Sequence, residues 1–234
     1  MTHPPTAEVA RAHLVLQDLI ADLDDAHVRE PSALPGWLRG HVLAHLTDNA
    51  RMFARLAEHA LRGELVPTYD GGADERDAII EAAAGRGAGE HRAALAGQII
   101  HLESVWAKMS ETDWGRPVSF RDADLTATVF ARWREVWIHL ADLGLGVGPE
   151  VWPLGLAAHA VDFLSSRLPA GASLHAVDVG RQWPHGDGTE VVITGRLRDL
   201  AAWLAGRAPA TSPTAPGGLP ELGPWPPHPP APRG

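Results

Sequence analysis

Thirteen histidines and not one cysteine decide what chemistry this chain can attempt. Thiolate metal sites, disulfides and a protein-borne thiol nucleophile are excluded. What remains is imidazole and carboxylate, which bind divalent cations and move protons near neutral pH. Side chains four residues apart share one face of a helix. Two pairs place a histidine at that spacing from another histidine or a carboxylate: His41 with His45, and Glu135 with His139. Two histidines and a carboxylate suit a zinc-type ion that keeps a vacant coordination position. A blander reading stands beside this one. Glu135 and His139 share a stripe with Thr128 and Asp142, a pattern that describes a solvated face equally well. His45 lies near Met52, Phe53 and Leu56 in sequence, company that also suits a core histidine. Spacing alone leaves the choice open, because nothing local makes the two helices face each other.

The elements that must position these residues read mostly as helices. Leu14, Leu16, Leu19, Ile20 and Leu23 recur at helical spacing between residue 6 and about residue 28. The proline- and glycine-bearing stretch 31–37 breaks that pattern. A second helix is predicted over Arg39–Leu61, with Val42, Leu46, Phe53, Ala57 and Leu61 on its apolar side and Gly63 as its stop. Residues 66–72 read as a loop, and 85–89 as another weak point. Third and fourth helices are predicted over 90–109 and 125–143, the latter carrying Val129, Trp133, Val136, Trp137 and Leu140. The run 144–149 ends the last of them. The fold class expected is therefore mainly α: a four-helix bundle over residues 1–148, with connections long enough to carry a site.

A different pattern follows. Residues 149–208 read as a small α+β unit. Its elements are a helix over 151–168 with Pro153 in the first turn, a strand over 174–179 and a second strand over 190–194. The segment 183–188 between the strands is turn-rich, and a closing helix over Leu197–Leu204 stops at Gly206. From Pro209 onward the last 26 residues hold 10 of the 20 prolines, so this tail is expected to be extended or disordered and to pack no core.

Composition narrows the function classes. With 234 residues and 45% apolar content, the chain can bury a core. A net charge of −9 argues against nucleic acid as the main partner. No apolar run approaches the roughly 18 residues of a membrane span, and no secretory leader is expected at the N-terminus.

Three segments carry a resemblance. LPGWLRGHVLAHL, residues 34–46, resembles the opening motif of the mycothiol-dependent maleylpyruvate isomerase family, part of the wider DinB-like metal-dependent superfamily. RWREVWIHLADLG, residues 132–144, resembles that family's second metal motif. VVITGRLRDLAAWLAGR, residues 191–207, resembles its closing strand–helix signature. The three stand in the family's order and span the chain up to about residue 208. Carried over by position, the resemblance puts the metal ligands on His45, Glu135 and His139. Asp142 matches the acidic residue of the second motif, either orienting a histidine or lying on the surface near its helix end. An arginine implicated in substrate handling falls on Arg207, with Arg196 and Arg198 close by; Arg39 and Arg134 are less favoured for that task. His41 takes no family role, and Leu140 and Ala141 depart from the residues more often found before the aspartate.

The implied activity is cis–trans isomerisation of maleylpyruvate with a divalent metal, zinc by ligand type, and mycothiol, a small sugar-based thiol. A thiolate adds to the cis double bond, the bond turns while it is single, and elimination leaves fumarylpyruvate. A chain without cysteine can run such chemistry on borrowed sulfur. The alternatives are a metal-dependent mycothiol S-transferase acting on another electrophile, or a non-catalytic metal-binding interaction protein. Partners are then a small-molecule substrate and the thiol, with neither nucleic acid nor membrane. The chain is expected to be a monomer in the cytoplasm.

Overall fold

The computed structural model describes residues 3–184 and 191–226. It divides into two compact units, 1–145 and 146–234. The protein is mainly helical, with a small sheet confined to the second unit.

In the first unit four long helices pack as a bundle: α1 (Thr6–Leu19), α3 (Arg39–Leu61), α5 (Ala88–Trp106) and α6 (Leu125–Asp142). α1 buries Val9, Ala12, His13 and Leu16, one stripe at helical spacing. The helix expected to continue to about residue 28 stops at Leu19 instead. A separate turn, α2 (Asp25–Val28), follows. The reason is local: the Asp24 carboxylate accepts 2.9 Å hydrogen bonds from the amides of Ala26 and His27. An N-cap of that kind starts a new helix in preference to continuing the old one.

α3 is the central helix. Every residue from 42 to 50 is buried, so it is wrapped on all sides. A further helix, α4 (Gly72–Ala84), was not anticipated; it buries only Ile80, Ala83 and Ala84, a footprint too small to show as periodicity. It lies against the start of α3, where a Cβ on Gly40 would stand 2.2 Å from the Ala84 carbonyl oxygen. α6 begins at Asp124, whose carboxylate accepts from the Ala127 amide at 2.9 Å.

The second unit packs α7 (Leu154–Leu164) on α8 (Leu197–Leu204) beside a three-stranded sheet. Strand order is β2-β1-β3, with β1 (Ala172–Ala176) antiparallel to β2 (Arg181–Pro184) and parallel to β3 (Val191–Gly195). The first half of the segment read as turn-rich is thus partly strand: Trp183 pairs with Leu174. The rest of it, from residue 185, lies outside the described residues, as does residue 190 of the expected second strand.

The described part of the proline-rich segment, residues 209–226, is held down on the second unit. Thr214 and Thr194 exchange two backbone hydrogen bonds of 2.8 Å. Pro213 is buried, within 3.3 Å of where a Cβ on Gly195 would stand. Gly223 donates to the Arg167 carbonyl and accepts from Arg167 Nε, both at 2.8 Å. Residues between prolines keep their amides, and those amides supply the pairing. No helix among the described residues is long and apolar enough to cross a membrane.

Candidate metal centre

His45 sits in the second turn of α3, and Glu135 and His139 stand one turn apart near the end of α6. The bundle brings the three together. Glu135 Oε2 lies 2.9 Å from His45 Nε2 and 3.3 Å from His139 Nε2. The imidazole centroids are 4.5 Å apart at 77°. One ligand atom from each residue falls within 4.8 Å of the other two. The side chains keep 10%, 32% and 15% of their exposure for His45, Glu135 and His139, so the cluster is lined by protein yet reachable from solvent.

Electrostatics support a carboxylate flanked by imidazoles. Burial pushes the His45 imidazole below its ordinary range. Burial opposes ionisation of Glu135 as well, but hydrogen bonds with His139 and His45 outweigh it and hold the carboxyl well below the usual carboxylate range. Burial also works against charge on His139, and there Asp142 and Glu135 overcome it, so the net direction is upward. Protons shared among these atoms occupy ground that a divalent cation could take over, and the donor set is the two-imidazole, one-carboxylate set of zinc-type sites. The residues present therefore fit the ion.

Asp142 is not on the surface. It is 2% exposed, and its Oδ2 lies 2.8 Å from His139 Nδ1. Trp37 covers another side, its ring 5.9 Å from that of His45 and packed on Ala44, Ile80 and Ala83. His41 stands apart from the cluster: its Nδ1 accepts from the Leu38 amide at 3.2 Å, Nε2 lies 3.3 Å from Glu81, and Trp37 stacks on it. It caps α3, which explains why a histidine there needs no ligand role.

The arginines separate by task. Arg39 Nε donates to the Leu143 carbonyl at 2.8 Å and Nη2 to that of Gly144 at 3.2 Å, so it caps the end of α6. Arg134 is buried in α6. Arg207 belongs to the second unit, just past α8, where Nη1 donates to the Ala205 carbonyl at 2.7 Å. Arg76 on α4, not singled out in the sequence, is among the charges that disfavour protonation of His45. Arg132 was also missed. It occupies the buried stripe Leu125, Val129, Val136 and Leu140, and a charged residue in that register was the signal available.

A family profile described as the mycothiol maleylpyruvate isomerase N-terminal domain matches residues 9–144. The chain belongs to the mycothiol maleylpyruvate isomerase family. Solved structures extend the likeness beyond the N-terminal domain. A crystal structure of the mycothiol-dependent maleylpyruvate isomerase matches with a TM-score of 0.83 and 26% identity, over 93% of this chain and 94% of that one. A histidine-to-alanine mutant of that enzyme matches at 0.83 and 25%, with the same coverage. No curated protein matches the sequence. The family profile is thus confined to the first unit, while the structural likeness takes in residues of both.

Proposed function

We propose that this chain is a mycothiol-dependent isomerase of maleylpyruvate, working in the cytoplasm as a monomer, with His45, Glu135 and His139 holding a divalent cation, zinc by donor set. The observation that carries the reading is the convergence of those three side chains, with Asp142 behind His139, in a member of this family.

A bound cation and thiol would together supply what the cysteine-free polypeptide lacks, a thiolate that can add to and leave a conjugated double bond. The chain's own residues prepare the place. Asp142 accepts from His139 Nδ1, which leaves His139 Nε2 facing Glu135. His45 closes the set from a separate helix. Trp37 limits water on the His45 side. The substrate carries two carboxylates, so positive charge is required where it binds. Arg207 is proposed to take one carboxylate.

The test is a spectroscopic assay with maleylpyruvate, with and without mycothiol. Fumarylpyruvate formation that needs the thiol is expected. Absence of thiol-dependent turnover would overturn the isomerase reading and favour thiol transfer to another electrophile by the same three ligands. Arg207→Ala at saturating mycothiol is expected to raise KM for maleylpyruvate about tenfold or more, the loss of roughly 1.5–3 kcal/mol for a charge-assisted contact. An unchanged KM and turnover would remove Arg207 from the substrate site.

A further inference from the structure

Arg132 is fully buried, at 0% exposure, on the core-facing stripe of α6. Burying a guanidinium is costly, and here Nη2 has no hydrogen-bond partner among the described residues, so the cost is offset through Nε and Nη1 alone. Nε donates to His13 Nε2 at 3.0 Å. Nη1 donates to the Leu46 carbonyl at 2.8 Å and to Asn49 Oδ1 at 2.9 Å. His13 in turn places Nδ1 2.7 Å from Glu103 Oε1. His13 is on α1, Leu46 and Asn49 on α3, Glu103 on α5 and Arg132 on α6. One cation therefore ties together all four long helices of the bundle.

The place of this knot matters. Leu46 directly follows His45, and Asn49 lies one turn further along α3. Arg132 lies one turn before Glu135. The guanidinium thus bridges α3 and α6 about one helical turn from the point where their side chains meet. A slide of one residue along a helix moves a ligand about 1.5 Å, whereas a metal shell tolerates about 0.2 Å. Stability alone does not call for an arginine here, because an apolar side chain of similar volume is often as good or better. What an apolar side chain lacks is directed N–H groups that fix one helix against a carbonyl of the next.

We infer that Arg132 is a positioning residue: through Leu46, Asn49 and His13 it sets the spacing of α3 against α6 that makes His45, Glu135 and His139 a single cation site. The inference rests on the cation reading above. It assigns Arg132 no contact with substrate or ion.

The test compares wild type, Arg132→Met, Asn49→Ala and a control, Leu95→Ala, which opens the core at a buried α5 residue outside the network. Folding is checked by circular dichroism, cobalt(II) affinity by chelator competition, and the ligand field by visible absorption of the cobalt form. Arg132→Met is expected to stay helical, bind cobalt about 10- to 100-fold more weakly and show altered absorption. Asn49→Ala is expected to move both readouts the same way by less, and Leu95→Ala to leave both as in wild type. Wild-type affinity and absorption in Arg132→Met would overturn the inference. If that variant does not fold, Asn49→Ala decides by the same criterion. Should wild type bind no cobalt, the cation reading fails, and metal-free crystal structures still judge Arg132. The 2.9 Å contact between His45 Nε2 and Glu135 Oε2 is expected to be lost in the variant, and its retention would refute the positioning role.

Discussion

Asp142 Oδ2 and His139 Nδ1 stand 2.8 Å apart, with Asp142 almost wholly buried. The contact settles which nitrogen of His139 is turned to the candidate centre. An imidazole that donates from Nδ1 to a carboxylate presents Nε2 with greater basicity and a fixed ring orientation. Asp142→Ala is expected to weaken binding of a divalent cation by about 10- to 100-fold, read by competition with a chelator. Wild-type affinity in that variant would reduce Asp142 to a packing residue.

His13 predicts a pH dependence of stability separate from the centre. Burial lowers its pKa from 6.5 to about 4, and the acceptance by Nε2 of a hydrogen bond from Arg132 is consistent with a neutral ring. The unfolded chain therefore binds the extra proton first. The contribution is complete above pH about 6.5 and is lost as pH falls towards about 4, up to roughly 3 kcal/mol. Denaturant unfolding at pH 7.5 and 5 should show this loss in wild type and a smaller one in His13→Gln. Equal losses in both proteins would mean that His13 is not buried neutral.

Arg39 predicts a stability effect without a substrate effect. Its hydrogen bonds to the carbonyls of Leu143 and Gly144 close the end of α6. Arg39→Ala is expected to cost about 2 kcal/mol in denaturant unfolding, with KM for the substrate unchanged. A raised KM with unchanged stability would instead make Arg39 a carboxylate clamp.

Much of this was legible in the sequence, for a physical reason that also marks where legibility ends. The bounds of α3 and the one-turn spacing of Glu135 and His139 are local properties of chain and helix period. Whether α6 faces α3 is not local, so spacing left His45 poised between ligand and core residue. α4 escaped notice because Ile80, Ala83 and Ala84 are too few and too small to mark a stripe. The break after Leu19 was hidden because Asp24 caps through its side chain, which competes with helix continuation without disturbing the apolar pattern. Arg132 drew no role from the sequence because its partners lie on two other helices, which no local pattern reveals.

The segment after residue 208 carries its own prediction. Because Thr214 pairs with Thr194 and Pro213 is buried, truncation after residue 208 should destabilise the second unit by about 1–3 kcal/mol. Thermal unfolding of the truncated and full chains measures it. Identical midpoints would show that the segment contributes nothing to the fold.

Metal content tests the central claim most directly. Elemental analysis of purified wild type, His45→Ala, Glu135→Ala and His139→Ala, each checked for helical content, should find one divalent ion per chain in wild type and a substoichiometric amount in every variant. Stoichiometric metal retained in all three variants would contradict the account, because the ion would then be held somewhere other than between α3 and α6.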